Sequence, residues 1–153
     1  MYFLCVEEID RAIVAALTVD GRLSYTDLAE RVGLSVSAVH QRVRRLEQRG
    51  VIKGYAAQVD YSSLELPLTA FVAVRPLDPS QTDDAPDRLA ALPEIESCYS
   101  VAGDDHYLLL VRVGSPVDLE RLLQEIRAAA NVSTRTTVVL STPYEGRAPK
   151  VAR

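Results

Sequence analysis

The stretch from Ser24 to Gly50, SYTDLAERVGLSVSAVHQRVRRLEQRG, admits few three-dimensional solutions. Ser24 with Asp27 three residues later has the form of a capping box, and Leu28, Ala29 and Val32 follow as the apolar side of a short helix. Gly33 breaks that helix, Leu34 points inward, and Ser35 is placed to cap another. In the second helix Val39, Val43 and Leu46 recur at helical spacing until Gly50, which stands where a C-cap glycine belongs. Two short helices around a tight glycine turn predict a helix-turn-helix, and the small Ala29 lets them approach closely. Upstream, residues 8–18 put Ile9, Ile13, Ala16 and Leu17 on one face of a first helix, which DGR at 20–22 ends.

Charge is concentrated on the same stretch. The chain of 153 residues carries a net charge of −4, yet residues 31–53 hold Arg31, Arg42, Arg44, Arg45, Arg49 and Lys53 against the single acid Glu47. A basic patch on an acidic chain suits a polyanion-binding face. With its apolar stripe turned to the core, the third helix leaves Ser37, Ala38, His40, Gln41, Arg44 and Arg45 outward. Small residues at its start allow entry into a major groove, where Gln reads adenine and Arg reads guanine or holds phosphate. The candidate DNA-binding residues are therefore Ser24 and Tyr25 at the start of the second helix, and Ser35, Ser37, Ala38, His40, Gln41, Arg42, Arg44 and Arg45 on the third.

The remainder has a different grammar. PLTAFVAVRP at 67–76 is a strand-like apolar run, and residues 77–86 are a polar linker. Ala85, Leu89 and Leu92 have helical spacing. IESCYSVAG at 95–103 alternates, and HYLLLVRVG at 106–114 is a near-continuous apolar strand after the turn AGDD. SPVD at 115–118 opens a helix whose face is Leu119, Leu122, Leu123, Ile126 and Ala130, and TRTTVVLS at 134–141 is β-branched and strand-like. The order β-α-β-β-α-β is ferredoxin-like, giving an α+β chain with an N-terminal winged-type helix-turn-helix domain. Leu108 and Leu110 oppose Tyr107, Leu109 and Val111, so both faces of the middle strand are apolar. Helices cover one face, and the simplest cover for the other is a second copy, a homodimer.

The elements DGR, LAERVGLS, RVRRLE and RGVIKGY resemble the Lrp/AsnC ("feast/famine") transcription regulators, and the second half resembles their RAM domain. The resemblance runs from about Ile9 to Tyr144. It implies a DNA-binding domain over 1–54, a linker strand or hinge over 55–66 and a RAM domain over 67–153. It also implies sheet-to-sheet dimers that assemble four at a time, double-stranded DNA as partner, an amino-acid effector and no cofactor. AGDDHYLLL matches the family's effector segment, so Ala102, Gly103, Asp104, Asp105 and His106 become effector candidates, with Thr134 and Thr136 beside them. His106 departs from the acid usual there. From the residues alone, Asp104 and Asp105 serve equally well as polar turn residues.

Other classes fit less well. Adjacent Asp104, Asp105 and His106 on a strand point to alternate faces and do not converge as a metal or acid–base cluster. Phosphate loops, HExxH, paired CxxC and nucleophile elbows are absent, so an enzyme is not expected. An effector-free architectural DNA-binding protein is the alternative. Apolar runs fall short of the ~18 residues of a membrane helix, and MYFLCV is too short for a secretory signal. Two isolated cysteines, Cys5 and Cys98, fit a reducing cytoplasm, with Cys98 expected to be a buried thiol.

Overall fold

The structure, a computed structural model, describes residues 7–78, 80 and 84–148. Cys5 and the apolar start, part of the 77–86 linker and the last five residues lie outside the described residues. The chain divides into two units, one of residues up to Gln58 together with the segment from Tyr144, the other from Val59 to Pro143. The break falls within the expected 55–66 linker. Residues 144–148 group with the first unit.

In the first unit, α1 spans Glu8–Val19, α2 Tyr25–Val32 and α3 Val36–Gln48. Both caps form as read. Ser24 Oγ accepts from the Asp27 amide at 3.1 Å, and Ser35 Oγ accepts from the Ala38 amide at 3.2 Å. Gly33 takes the left-handed conformation, φ 68°, that ends α2 and opens the three-residue turn into α3. Gly50, also at φ 68°, lets the Val51 amide reach back to Leu46 O. Ile13, Leu28, Ala29, Val39, Val43 and Leu46 form the core. Ile9 is 36% exposed and Asp10 is fully buried, so the inward face of α1 lies one residue further along than the apolar pattern suggests. Beyond α3, residues 53–60 run without helix or strand, and a 3₁₀ turn follows at Ser62–Leu64.

The second unit contains β1 (Leu68–Pro76), α4 (Ala85–Leu89), β2 (Ile95–Ser100), β3 (Tyr107–Val113), α5 (Pro116–Ala130) and β4 (Val132–Val138). Strand order is β2-β3-β1-β4, with every pair antiparallel. Ala70, Val72 and Val74 of β1, Leu109, Val111 and Val113 of β3, and Val132 of β4 pack against Ala85 and Leu89 of α4 and Leu119, Leu122 and Ile126 of α5. β4 begins two residues before the β-branched run, because Asn131 in the left-handed region (φ 52°) reverses the chain directly after α5. The first of these helices is shorter than its apolar spacing implied, although Leu92 still packs on the core.

Alternation sends Phe71, Ala73, Tyr99, Leu108, Leu110, Arg135 and Thr137 to the opposite face, which has no helix over it. Phe71 is 37% and Tyr99 52% exposed there. The expectation of a buried Cys98 is corrected: its thiol is exposed. Cys98 pairs with Leu109 and so shares the helix-covered side, but β2 is an edge strand and the helices do not cover that margin.

Candidate DNA interface and effector site

On α3 the outward residues differ in what they are free to do. Arg44 is exposed and has no ion-pair partner among the described residues, and Gln41 is exposed beside it. Arg42 turns back toward α1, where its Nη1 donates to Glu7 Oε2 at 2.8 Å and to Asp10 Oδ1 at 2.7 Å. The hydrogen bonds to Glu7 and Asp10 hold its guanidinium proton above the usual arginine range. Arg45, half exposed, stands with Nη2 3.5 Å from Asp10 Oδ2. The Tyr25 ring meets the His40 ring edge-on with centroids 5.0 Å apart, pinning the start of α2 against α3. Ser24 and Ser35 spend their oxygens on capping, and Ser37 Oγ lies 3.2 Å from Ser35 Oγ. Ala38 gives the helix a small, half-buried position at its start. The structure thus gathers the ten candidates at one helix pair but gives Arg42 internal partners.

Below α3, the Tyr55 hydroxyl donates to Glu47 Oε1 at 3.0 Å. Burial, then the Glu47 hydrogen bond and charge, push this phenol up to about 12. The ring packs 3.3 Å from where a side chain on Gly21 would begin, so a larger residue in the α1–α2 turn would have to displace it slightly.

In the second unit the β2–β3 connection is closed by the Val101 amide bonding to His106 O at 3.1 Å, and the His106 amide reaches Val74 O at 2.9 Å. Ala102, Gly103 and Asp104 are exposed at its tip. Gly103 has φ 141°, a backbone that suits glycine, and nothing within the subunit lies within 4 Å of an added Cβ. Asp105 is held inward by a short ion pair with Arg135 of β4. The two rim an open concavity of about 460 Å³ whose floor is Phe71, Ala73, Val101, Leu108 and Thr137. A paired acid and base above an apolar floor offer complementary charges to an ammonium and a carboxylate.

Thr134 and Thr136 are not brought to this concavity. They share the helix side with Val132, and the Thr134 hydroxyl accepts from Arg127 Nε at 3.0 Å. Arg135 was missed by sequence reasoning. Its alternation with Thr134 was the available signal, but pairing to Asp105 spans 30 residues. On the same open face, Arg112 lies 3.8 Å over the Tyr61 ring and donates to Thr69 Oγ1 at 2.9 Å and to Glu96. No group of three or more His, Cys, Asp or Glu among the described residues could hold a metal ion. No helix of the described residues is long and apolar enough to cross a membrane.

Comparison with known proteins matches residues 6–53 to winged helix-turn-helix DNA-binding domains and residues 69–149 to the Lrp/AsnC ligand binding domain. The HTH-type transcriptional regulator LrpA of Mycobacterium tuberculosis is 56% identical over 142 residues, 93% of this chain and 95% of that one. The leucine-responsive regulatory protein of Escherichia coli is 38% identical, over 88% of this chain and 85% of its own. Among solved structures, a feast or famine regulatory protein of M. tuberculosis complexed with L-methionine superposes with a TM-score of 0.94 at 54% identity, covering 97% of this chain and all of that one. A Neisseria meningitidis regulator in complex with L-methionine gives 0.83 at 25% identity, covering 95% and 96%.

Proposed function

This chain belongs to the Lrp/AsnC family of transcriptional regulators, and from that premise we propose how its parts divide the work. It is a DNA-binding regulator with an amino-acid ligand-binding domain, in a family of regulators and not of enzymes. The finer reading is that α3 enters the major groove, Gln41 reads a base edge and Arg44 holds phosphate. The observation that carries it is the exposed Gln41 and Arg44 on a helix capped at Ser35 and packed through Val39, Val43 and Leu46. We further propose a homodimer formed through the open sheet face, four dimers in the full assembly, and the bacterial cytoplasm as its compartment.

Arg44→Ala is expected to weaken binding to every duplex alike and to reduce the slope of log K against log salt by ~0.9, one phosphate contact. Gln41→Ala should instead cost ~1–3 kcal/mol on preferred sites only, relaxing preference at one base pair. Fluorescence anisotropy over a salt series, on a random duplex and on one enriched from a random pool by the wild type, measures both. A wild type that ignores duplex DNA at low salt would sink this reading.

The effector is proposed to be an α-amino acid with an apolar side chain. The relatives solved with L-methionine support that class, and the Asp105–Arg135 pair over its apolar floor is the feature of this chain that suits it. Asp105 is the candidate for the ammonium and Gly103 with its neighbours for the carboxylate; Thr134 and Thr136 join only if another subunit brings a second surface to them. In calorimetry against the amino acids, Asp105→Ala should lower affinity at least ~10-fold, the loss of a charge-assisted hydrogen bond. Gly103→Val should also weaken binding, through backbone strain at φ 141° rather than through a clash. Equal affinity in both variants would move the site elsewhere. No binding by the wild type at millimolar concentration would favour the effector-free architectural alternative.

A further inference from the structure

Asp10 is the charged side chain that the described residues bury completely. It sits on the inward face of α1, directly beneath two arginines of α3. Its Oδ1 accepts from Arg42 at 2.7 Å, while its Oδ2 is buried without a hydrogen bond, facing the Arg45 guanidinium at 3.5 Å. Glu7, Arg42, Asp10 and Arg45 therefore alternate in sign across the α1–α3 contact. Arg42 has a second acid in Glu7, so the tie between the helices does not need both Asp10 oxygens. One oxygen is left over, attracting a cation by charge alone.

We propose that Asp10 is a positioning residue of the DNA interface: a fixed internal anion that holds Arg45 against α1 and that duplex phosphate must displace. This rests on the reading that α3 faces DNA. Arg45 is half exposed and long enough to leave its place, whereas the short Asp10 side chain is buried between the helices. In the free protein part of the Arg45 charge is already neutralised, which weakens attraction to any polyanion. On DNA, Arg45 must exchange a buried carboxylate for a phosphate or base edge, and the oxygen it leaves has no other donor. Only a well-registered contact offsets that loss, so Asp10 suppresses non-specific binding more than specific binding. A carboxylate kept only for packing would be replaceable by a neutral group of the same shape with no effect on DNA.

Asp10→Asn makes that replacement in the full-length chain. It is expected to bind a random-sequence duplex several-fold tighter than wild type at moderate salt, with a log–log salt slope steeper by ~0.9. Its preference for the duplex that the wild type enriches should fall. In Asp10→Asn/Arg45→Ala both gains should vanish, leaving the slope of Arg45→Ala alone. A folded Asp10→Asn with the wild-type slope overturns the proposal, as does a slope that rises equally without Arg45. If Asp10→Asn does not fold, surface variants decide: Arg45→Ala should reduce the slope less than Arg44→Ala, and an equal loss overturns the idea. Arg44→Ala is also the control for the underlying reading. If it too leaves DNA binding unchanged, α3 is not the DNA face and both fail; if only Asp10→Asn is silent, only the positioning role fails.

Discussion

Leu109→Asp is expected to leave no stably folded sheet unit, whereas Leu108→Asp, one residue away, should fold and lose self-association. The two side chains differ only in which side of β3 they occupy. Leu109 is wholly buried between Val72 and the two helices, with nothing polar to receive a carboxylate. An unpaired charge there costs ~4 kcal/mol or more, against a total stability of ~5–15 kcal/mol. Leu108 lies on the open face in register with Ala73 and Tyr99, and Ala73 is in turn in register with Arg135. A carboxylate there keeps water within the single subunit and has a cation nearby. Its cost arises only when a second apolar sheet covers that face. Circular dichroism melting and sedimentation velocity at micromolar concentration separate the two outcomes. If Leu108→Asp keeps the wild-type mass, the open face is not the contact between copies, and a monomeric wild type would end the idea of assembly through it.

Assembly matters because a single helix-turn-helix has little to say about spacing. Two copies related by a two-fold axis read half-sites separated by a multiple of ~10 base pairs. An amino acid that contacts one assembly better than another changes which spacing is favoured, by no more than its difference in affinity for the two. Asp105, Arg135, Phe71 and Leu108 share the open face, so an effector there and a second copy there act on the same surface.

What the sequence made legible was local. Ser24, Gly33, Ser35 and Gly50 specify caps and turns through neighbours within a few residues, and all four behave as read. Strand alternation sorted Leu108 from Leu109 for the same reason. The misreadings came from effects that local pattern does not encode. Asp10 carried no local signal of burial, because it is charged; its burial depends on Arg42, 32 residues away. Cys98 was read as a buried thiol, but exposure at an edge strand is decided by strand order, not by the strand's own pattern. At the effector segment, GDD suggested a site but not its partner. Arg135 reaches Asp105 only because β4 lies two strands from β3, across β1. Thr134 and Thr136 were grouped with that segment by resemblance, although their alternation with Arg135 sets them on the helix side once β4 starts at Val132.

Arg42→Ala is expected to act as a stability mutation rather than as the loss of a DNA contact, lowering the stability of the helical unit by ~3 kcal/mol. Removing one partner of a buried ion pair costs ~3–5 kcal/mol because the other charge stays buried. The low end applies, since Arg42 is itself about a quarter exposed and Arg45 remains 3.5 Å from the second oxygen. For a unit of this size that corresponds to a fall in Tm of roughly 12 °C or more. The cause is the stranded carboxylate, so it can be checked by removing that charge as well. Asp10→Asn in the Arg42→Ala background should recover much of the loss, a coupling that a simple deletion of packing would not produce. Arg44→Ala is the surface control and should melt within ~0.5 kcal/mol of wild type. Thermal and urea unfolding of the wild type, Arg42→Ala, Asp10→Asn and the double variant gives the cycle. An Arg42→Ala protein that melts like wild type, yet shows a salt slope shallower by about one phosphate, would return Arg42 to the DNA face.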